Sequence, residues 1–312
     1  MDPVTHGLVG MALGIKGGGS LSLTNGLMVA SVVGSLLPDL DIVFQLWGDY
    51  TYLKQHRGIS HSLPSAVVMS SIGALFLSLF YTGYNFFVLL PWVLLGFLSH
   101  LFLDLSNSYG VKIFWPLRAK KYTFNLLPLF DPVLVLFSLF SLWCNSQGVN
   151  DYLLLLMCVL YFLLRWSLCL WAKHIIKNRF FKGKTPLKVS VLPSSINLLS
   201  WDFIIEYPKK NLVGSLNLGK GSYKIFQRLY RESEEVINIL SETVLGQVFR
   251  EFTPFFHMNF EKRGDKLICH FMDLRYRVQD RFLHNGTLVL NQKGEVEEAI
   301  FQPYSLSHCI YL

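Results

Sequence analysis

The first half of this 312-residue chain contains no glutamate: none occurs before Glu206, and residues 1–172 carry only seven Asp and eight Lys or Arg. That excludes the HExxH helix of a zinc peptidase, whose Glu serves as general base. Residues 64–99 have no charged side chain at all, which a soluble helical domain does not tolerate. The five cysteines are odd in number and lack CxxC spacing, so neither a disulfide framework nor a thiolate zinc knuckle is expected. No GxSxG elbow is present, and Ser60 and Ser62, which flank His61, are read as capping or ligand-orienting hydroxyls rather than nucleophiles. No Lys or Arg precedes the first apolar stretch; without a basic n-region the N-terminus is expected to be retained.

What is present is apolar bulk. The chain is 52% hydrophobic, 15% aromatic and 16% charged, with a mean hydropathy of +0.38. Residues 64–99, broken at Tyr81-Thr82-Gly83-Tyr84-Asn85, read as a helical hairpin. A second hairpin runs from Pro132 to Trp143 and from Tyr152 to Trp171, turning through residues 145–150. The stretch from Gly7 to Ile15 is too short to cross alone and is followed by Gly17-Gly18-Gly19, so a partly inserted pair with Leu21 to Leu37 is expected. Trp115, Trp143, Trp166 and Trp171 fall near span ends as an interfacial belt. Lys54, Arg57, Lys112, Arg118, Lys120 and Lys121 occupy two connections, and Lys173, Lys177, Arg179, Lys182 and Lys184 follow the last span. By the positive-inside rule, residues 42–60, 106–125 and 173–312 are expected to face the cytoplasm. Beyond Leu187 short strand-like runs, some closed by turn pairs such as Asn285-Gly286, surround one helix from Glu232 to Phe252. The expected fold is an α-helical integral membrane domain of four to six helices, residues 1–175, followed by a small cytoplasmic α+β domain, residues 176–312. The second half carries twenty basic and fourteen acidic residues. No stacking or groove-reading motif accompanies that charge, so anionic lipid rather than nucleic acid is the expected partner.

The chemistry sits in compact groups. His6 closes Asp2-Pro3-Val4-Thr5-His6; Pro38-Asp39-Leu40-Asp41 supplies two carboxylates; His56 and His61 flank Gly58; and His100 and Asp104 share a helix face at i, i+4. With Asp131, all fall at the same ends of predicted spans, where ionisable groups are expensive and usually paired or functional. Structural uses remain open for individual members: His100 as a hydrogen-bonded core imidazole, Asp104 as a turn residue. Imidazole and carboxylate donors suit zinc, with manganese or iron not excluded, and their number allows two or more ions. Arg57 could hold a substrate phosphate or pair with Asp41, and Arg165 could reach a buried headgroup or snorkel to the interface. His257, His270, His284 and His308 lack grouping and are read as structural or surface histidines.

The set DPxTH, PDLD, HRGxSHS and HxxxD, at residues 2–6, 38–41, 56–62 and 100–104, resembles the YdjM/YfhP-like bacterial inner-membrane proteins, described as membrane-bound metal-dependent hydrolases. The likeness covers roughly residues 1–175, and Asp273-Leu274-Arg275-Tyr276 fits members with a C-terminal domain. The resemblance implies a helical core akin to zinc phospholipases of the phospholipase C kind. It implies His6, Asp39, His56, His61, His100 and Asp104 as metal ligands, with Asp41 and Asp131 as further candidates; Asp41, Asp131 and Arg57 are read as the catalytic residues. The expected activity is hydrolysis of a phosphoester in a lipid or lipid-linked substrate by metal-activated water. The alternatives are amide hydrolysis, and a metal-binding scaffold or transporter without hydrolysis.

Overall fold

A computed structural model describes residues 1–18, 20–149, 152–181, 186–194, 197–278 and 281–312. Gly19, Asn150, Lys182 and Lys184, read above as turn or topology signals, lie outside the described residues. The chain divides into two compact units, one of residues 1–46 and 55–167, the other of residues 47–54 and 168–312.

The first unit is helical. Its elements are α1 (Pro3–Gly14), α2 (Gly26–Leu36), a 3-10 continuation over Leu37–Trp47, α4 (Leu63–Ser78), α5 (Phe86–Ser106), α6 (Pro132–Ser146) and the first part of α7 (Tyr152–Phe180); the short α3 (Asp49–Gln55) falls mostly in the second unit. Local caps set where these helices begin. Asn25, Ser62, Asn85 and Asp131 each accept from backbone N–H groups of the turn that follows, satisfying donors that have no intrahelical partner. Among the described residues three helices are long and apolar enough to cross a membrane, Gly26–Trp47, Phe86–Ser106 and Leu155–Phe180, and Asp49–His61 with Leu63–Ser78 makes a fourth if that bent pair is one span. Pro38 does not end the helical path: the backbone tightens into 3-10 turns and carries Asp39 and Asp41 on a continuing helical segment.

Glycine brings α2 and α5 into backbone contact. A Cβ on Gly34 would lie 1.9 Å from the Val93 carbonyl oxygen, and one on Gly96 would lie 2.0 Å from the Ser31 carbonyl oxygen. Small residues are the usual means of close helix approach where lipid removes the hydrophobic drive for packing. Outward positions such as Val67, Ile72, Phe76 and Leu79 are exposed, while Ser31, Ser35, Ser70, His100 and Asp104 are buried. The C-terminal end of α5 is sealed by an extended segment: Phe124 N–H bonds the Leu105 carbonyl, and the N–H groups of Leu126 and Leu127 bond that of Ser106. Arg165 of α7 fastens this segment. Read from the sequence as reaching a headgroup or snorkelling, it is instead buried and donates through Nε and Nη2 to the Leu126 carbonyl at 2.9 and 2.7 Å, because a buried backbone acceptor needs a donor.

Among the described residues the second unit holds three antiparallel sheets, of four, five and two strands. Strands β1 (Lys188–Pro193), β2 (Ser200–Tyr207), β3 (Lys210–Asn217) and β4 (Ser222–Tyr230) form a meander whose Trp201, Phe203, Ile205 and Leu216 pack on Ala172 and Ile176 of α7. Helices α8 (Glu234–Glu242) and α9 (Val244–Phe252) lead into β5 (Phe256–Arg263) and β6 (Lys266–Asp273). A small ladder of β7 (Arg277–Val278) and β8 (Arg281–Phe282) follows, then β9 (Asn285–Leu290), β10 (Val296–Gln302) and β11 (Ile310–Tyr311), giving a five-stranded sheet of order β11-β10-β9-β6-β5. Phe249, Phe271 and Phe301 form its core. Two sequence expectations are corrected here. The single helix from Glu232 to Phe252 is broken at Thr243, which turns extended and caps α9 by accepting from Gly246 N–H. Asn285-Gly286 lies inside β9 rather than in a turn; Gly286 is required because a Cβ there would strike the Phe249 ring at 2.7 Å.

Candidate metal centre

Four separate segments deliver the polar cluster of the first unit. Asp2 caps α1, accepting from Thr5 N–H at 2.9 Å and from the Thr5 hydroxyl at 2.6 Å, and Pro3 fills the first turn. This fixes the start of α1, so that His6 is buried and stacked on His100 with ring centroids 3.7 Å apart. Asp39 comes from the 3-10 continuation of α2. His61 ends the 3-10 turn Ile59–His61 immediately before the Ser62 cap of α4. His100 and Asp104 stand one turn apart on α5 and are both fully buried.

Hydrogen bonds behind the rings determine what faces inward. His100 Nδ1 lies 2.8 Å from the Ser35 carbonyl oxygen, which can only accept, so this nitrogen carries the proton and Nε2 presents a lone pair. The Ser60 hydroxyl donates to Asp41 Oδ2 at 3.1 Å and therefore accepts from His61 Nδ1 at 2.9 Å, which likewise leaves His61 Nε2 unprotonated. The two Nε2 atoms are 3.1 Å apart. Facing lone pairs at that separation repel unless a proton or a cation joins them.

Around this pair the carboxylates close in. His61 Nε2 is 3.5 Å from Asp39 Oδ1 and from Asp104 Oδ2; His100 Nε2 is 3.6 and 3.7 Å from the same atoms; His6 Nε2 is 3.4 Å from Asp104 Oδ1. These contacts are long for hydrogen bonds. They match the edge of a tetrahedron of donors about 2.0–2.1 Å from one ion, roughly 3.3 Å. Two overlapping triads, His6–Asp39–His100 and His61–His100–Asp104, each have donor atoms within 4.8 Å of one another. Among the described residues both ring nitrogens of His6 and Oδ2 of Asp104 are buried without a hydrogen-bond partner, a costly state that a bound cation would relieve. The Met1 ammonium contacts Asp104 Oδ1, in keeping with a site that favours positive charge. The donor set therefore fits a divalent ion.

Four other residues singled out in the sequence take different positions. His56 holds Asp41 Oδ1 through Nδ1 at 3.0 Å and belongs to neither triad. Asp41 also accepts from the Arg57 N–H at 3.0 Å and from Ser60, so it braces the loop that carries His61. The Arg57 guanidinium is directed at Asp104 and Asn107. Its Nε lies 3.3 Å from Asp104 Oδ2, its Nη1 donates to Asn107 Oδ1 at 3.1 Å, and it stands over the Tyr109 ring at 5.1 Å. Its backbone is left-handed, with φ of 58°, a strained state for a non-glycine residue that the surrounding bonds hold in place. Asp131 is engaged elsewhere, capping α6 and accepting from the Tyr161 hydroxyl at 2.7 Å. Sequence reasoning missed Asn107, whose amide donates to Asp104 Oδ1 at 3.0 Å while its oxygen accepts from Tyr109 N–H and Arg57. Its position three residues after Asp104, on the same helical face, was the available signal.

Residues 1–173 match the family described as YdjM inner membrane protein. The chain belongs to the YdjM family. Residues 235–308 of this YdjM-family protein match the YfhP C-terminal alpha/beta plait domain, which spans α8 through β10. Over 293 residues the chain is 26% identical to "Uncharacterized protein YfhP" of Bacillus subtilis (strain 168), covering 90% of this chain and 89% of that one. No solved structure matches it at a significant level. It is thus an inner membrane family member with buried His and Asp groups able to hold a metal ion.

Proposed function

We propose that residues 1–175 are a membrane-embedded metal-dependent hydrolase acting on a phosphoester of a lipid or lipid-linked substrate, with residues 176–312 a cytoplasmic α+β domain. The carrying observation is the pair of facing, unprotonated imidazole nitrogens of His61 and His100 at 3.1 Å, ringed by three further buried or half-buried donors. His6, Asp39, His61, His100 and Asp104 would hold zinc or a similar divalent ion. Bound there, such an ion lowers the pKa of water to about 7 and neutralises charge on a phosphoryl oxygen.

The chain's own residues divide the remaining work. Asp41 and Ser60 hold the His61 tautomer, and Ser35 holds that of His100. Arg57 and Asn107 fix Asp104 from behind. Asp39 is open to solvent, with side-chain exposure of 22% against 0% for Asp41 and Asp104, which gives the site a water-accessible side. That opening supports hydrolysis over a sealed structural ion. The positive-inside argument supports a mouth on the cytoplasmic side.

Elemental analysis of the purified full-length protein tests the site. At least one divalent ion per chain is expected, lost in the His61→Ala and His100→Ala variants. A metal-free wild type, or metal retained by the double variant, would overturn the site. Hydrolysis of phosphatidate and polyprenyl phosphates by the metal-loaded protein tests the activity; bound metal with no turnover on any phosphoester would refute the hydrolase and favour ion transit.

A further inference from the structure

We propose that the loop of residues 111–122 is a docking surface for the phosphate headgroups of anionic lipid, stapled to the segment that carries His61. The inference does not depend on the cluster being hydrolytic.

The sequence from residue 105 to residue 130 contains no Asp or Glu but has Lys112, Arg118, Lys120 and Lys121 within ten positions. The structure gathers them. Val111 and Tyr122 pair antiparallel through two backbone hydrogen bonds of 3.0 and 2.9 Å, closing the loop at its base. The Phe114 ring meets Tyr122 edge-on at 5.1 Å, and Arg118 Nη1 reaches the Tyr122 hydroxyl at 3.5 Å. At the tip Leu117 is 88% exposed and Phe114 is 45% exposed, with Arg118 and Lys120 exposed beside them. An apolar tip collared by cations suits the boundary between headgroups and acyl chains, the tip reaching downward and the cations staying with the phosphates. Topology alone needs the charge; it does not need Leu117 held outward.

The loop is also tied to the candidate metal centre. Lys112 N–H bonds the Arg57 carbonyl at 3.3 Å, and Leu63 N–H bonds the Ile113 carbonyl at 3.0 Å, so the loop is bonded on both sides of His61 along the chain. Arg57 in turn contacts Asp104. Charge complementarity selects anionic lipid as the occupant: a basic loop with no acid of its own attracts phosphate, and neutral choline headgroups give it no net charge to bind.

The test uses the full-length protein in phosphatidylcholine nanodiscs, doped with a photoreactive phosphatidylglycerol or a photoreactive phosphatidylcholine, with crosslinked peptides mapped by mass spectrometry. Labelling of residues 111–122 should favour the anionic probe by about fivefold or more. In the variant combining Arg118→Gln, Lys120→Gln and Lys121→Gln the preference should vanish while labelling of α7 and the metal content are unchanged. The single variant Lys120→Glu, at an exposed position, gives the same readout should the triple variant fail to fold, with a reduced preference expected. Leu117→Asp should lower labelling by both probes. Equal labelling of the wild type by both probes, a preference surviving in the triple variant, or a preference undiminished in Lys120→Glu overturns the proposal. So does suppression by excess inorganic phosphate, which would make the loop a free-phosphate site.

Discussion

The two units differ in how they use charged residues. In the helical unit Asp41, Asp104 and Asp131 are buried and each engages two or more partners, whereas the second unit has exposed single pairs such as Arg250–Glu242 and Lys266–Glu297 and buries Asp273 against its near neighbour Arg275 and Thr253 rather than against a group of imidazoles. Histidine divides likewise. His6, His61 and His100 meet within one cluster, while His257 and His284 are buried apart in the second unit, and burial lowers each to a pKa of about 4. Burial alone therefore does not mark a ligand; convergence of several donors on one point does.

The largest expected contrast is in metal binding. His100→Ala should abolish it, whereas His284→Ala, at an equally buried imidazole, should leave metal content unchanged. Asp104→Asn should weaken affinity by roughly 10–100-fold by removing a negative donor while keeping its shape. Metal titration of the three purified variants measures this, and equal occupancy in His100→Ala and wild type would erase the distinction between the units.

Backbone proximity should come next. Gly34→Ala forces α2 from α5, which should destabilise the helical unit by about 1–3 kcal/mol and displace Ser35 and Asp39 enough to cost metal affinity. Gly7→Ala on α1, where a Cβ would meet nothing within 4 Å, is the neutral control. Thermal unfolding in detergent, with and without added zinc, separates the two.

Arginine sharpens the comparison at smaller scale. Arg165→Met removes two charge-assisted bonds to a buried carbonyl and should cost about 1.5–3 kcal/mol. Arg250→Met breaks a pair whose partners are 46% and 69% exposed and should change stability by less than about 1 kcal/mol. Equal effects would mean that the buried arginine is merely tolerated.

The smallest effect concerns pH and belongs to the second unit. His257 and His284 have pKa values lowered from 6.5 to about 4, so the unfolded chain takes protons first as pH falls from 6.5 toward 4, and stability is lost through that window. Asp202, raised by burial from 3.8 to about 6, works the other way, since the folded form takes its proton first. Two histidines outweigh one aspartate. Hydrogen-exchange protection of β5 and β6 should fall by about tenfold or more over this range, and more steeply in Asp202→Asn. Flat protection would show that these histidines are solvated.

Much of the helical unit was legible because its signals are local. Asp131-Pro132 and Ser62-Leu63-Pro64 announce helix starts, and the charge-free run of residues 64–99 has a length that only spans require. The His100–Asp104 spacing follows from helical period alone. Less local features were missed: the break at Thr243, the Gly286 contact, and Arg165 turning inward each depend on a neighbour distant in sequence.

The sequence by itself determined the division into an apolar helical half and a charged α+β half, the helix starts, and a chemistry of imidazole and carboxylate rather than thiolate. Only the tertiary structure decided which carboxylate faces which partner. Asp39 and Asp41 are two residues apart, yet one meets His61 Nε2 and His100 while the other braces His56, Arg57 and Ser60. At about three residues per turn, positions i and i+2 of a 3-10 helix point to different sides. The side that becomes the site is set by the close approach of α2 and α5 at Gly34 and Gly96, and no local residue pattern records that contact.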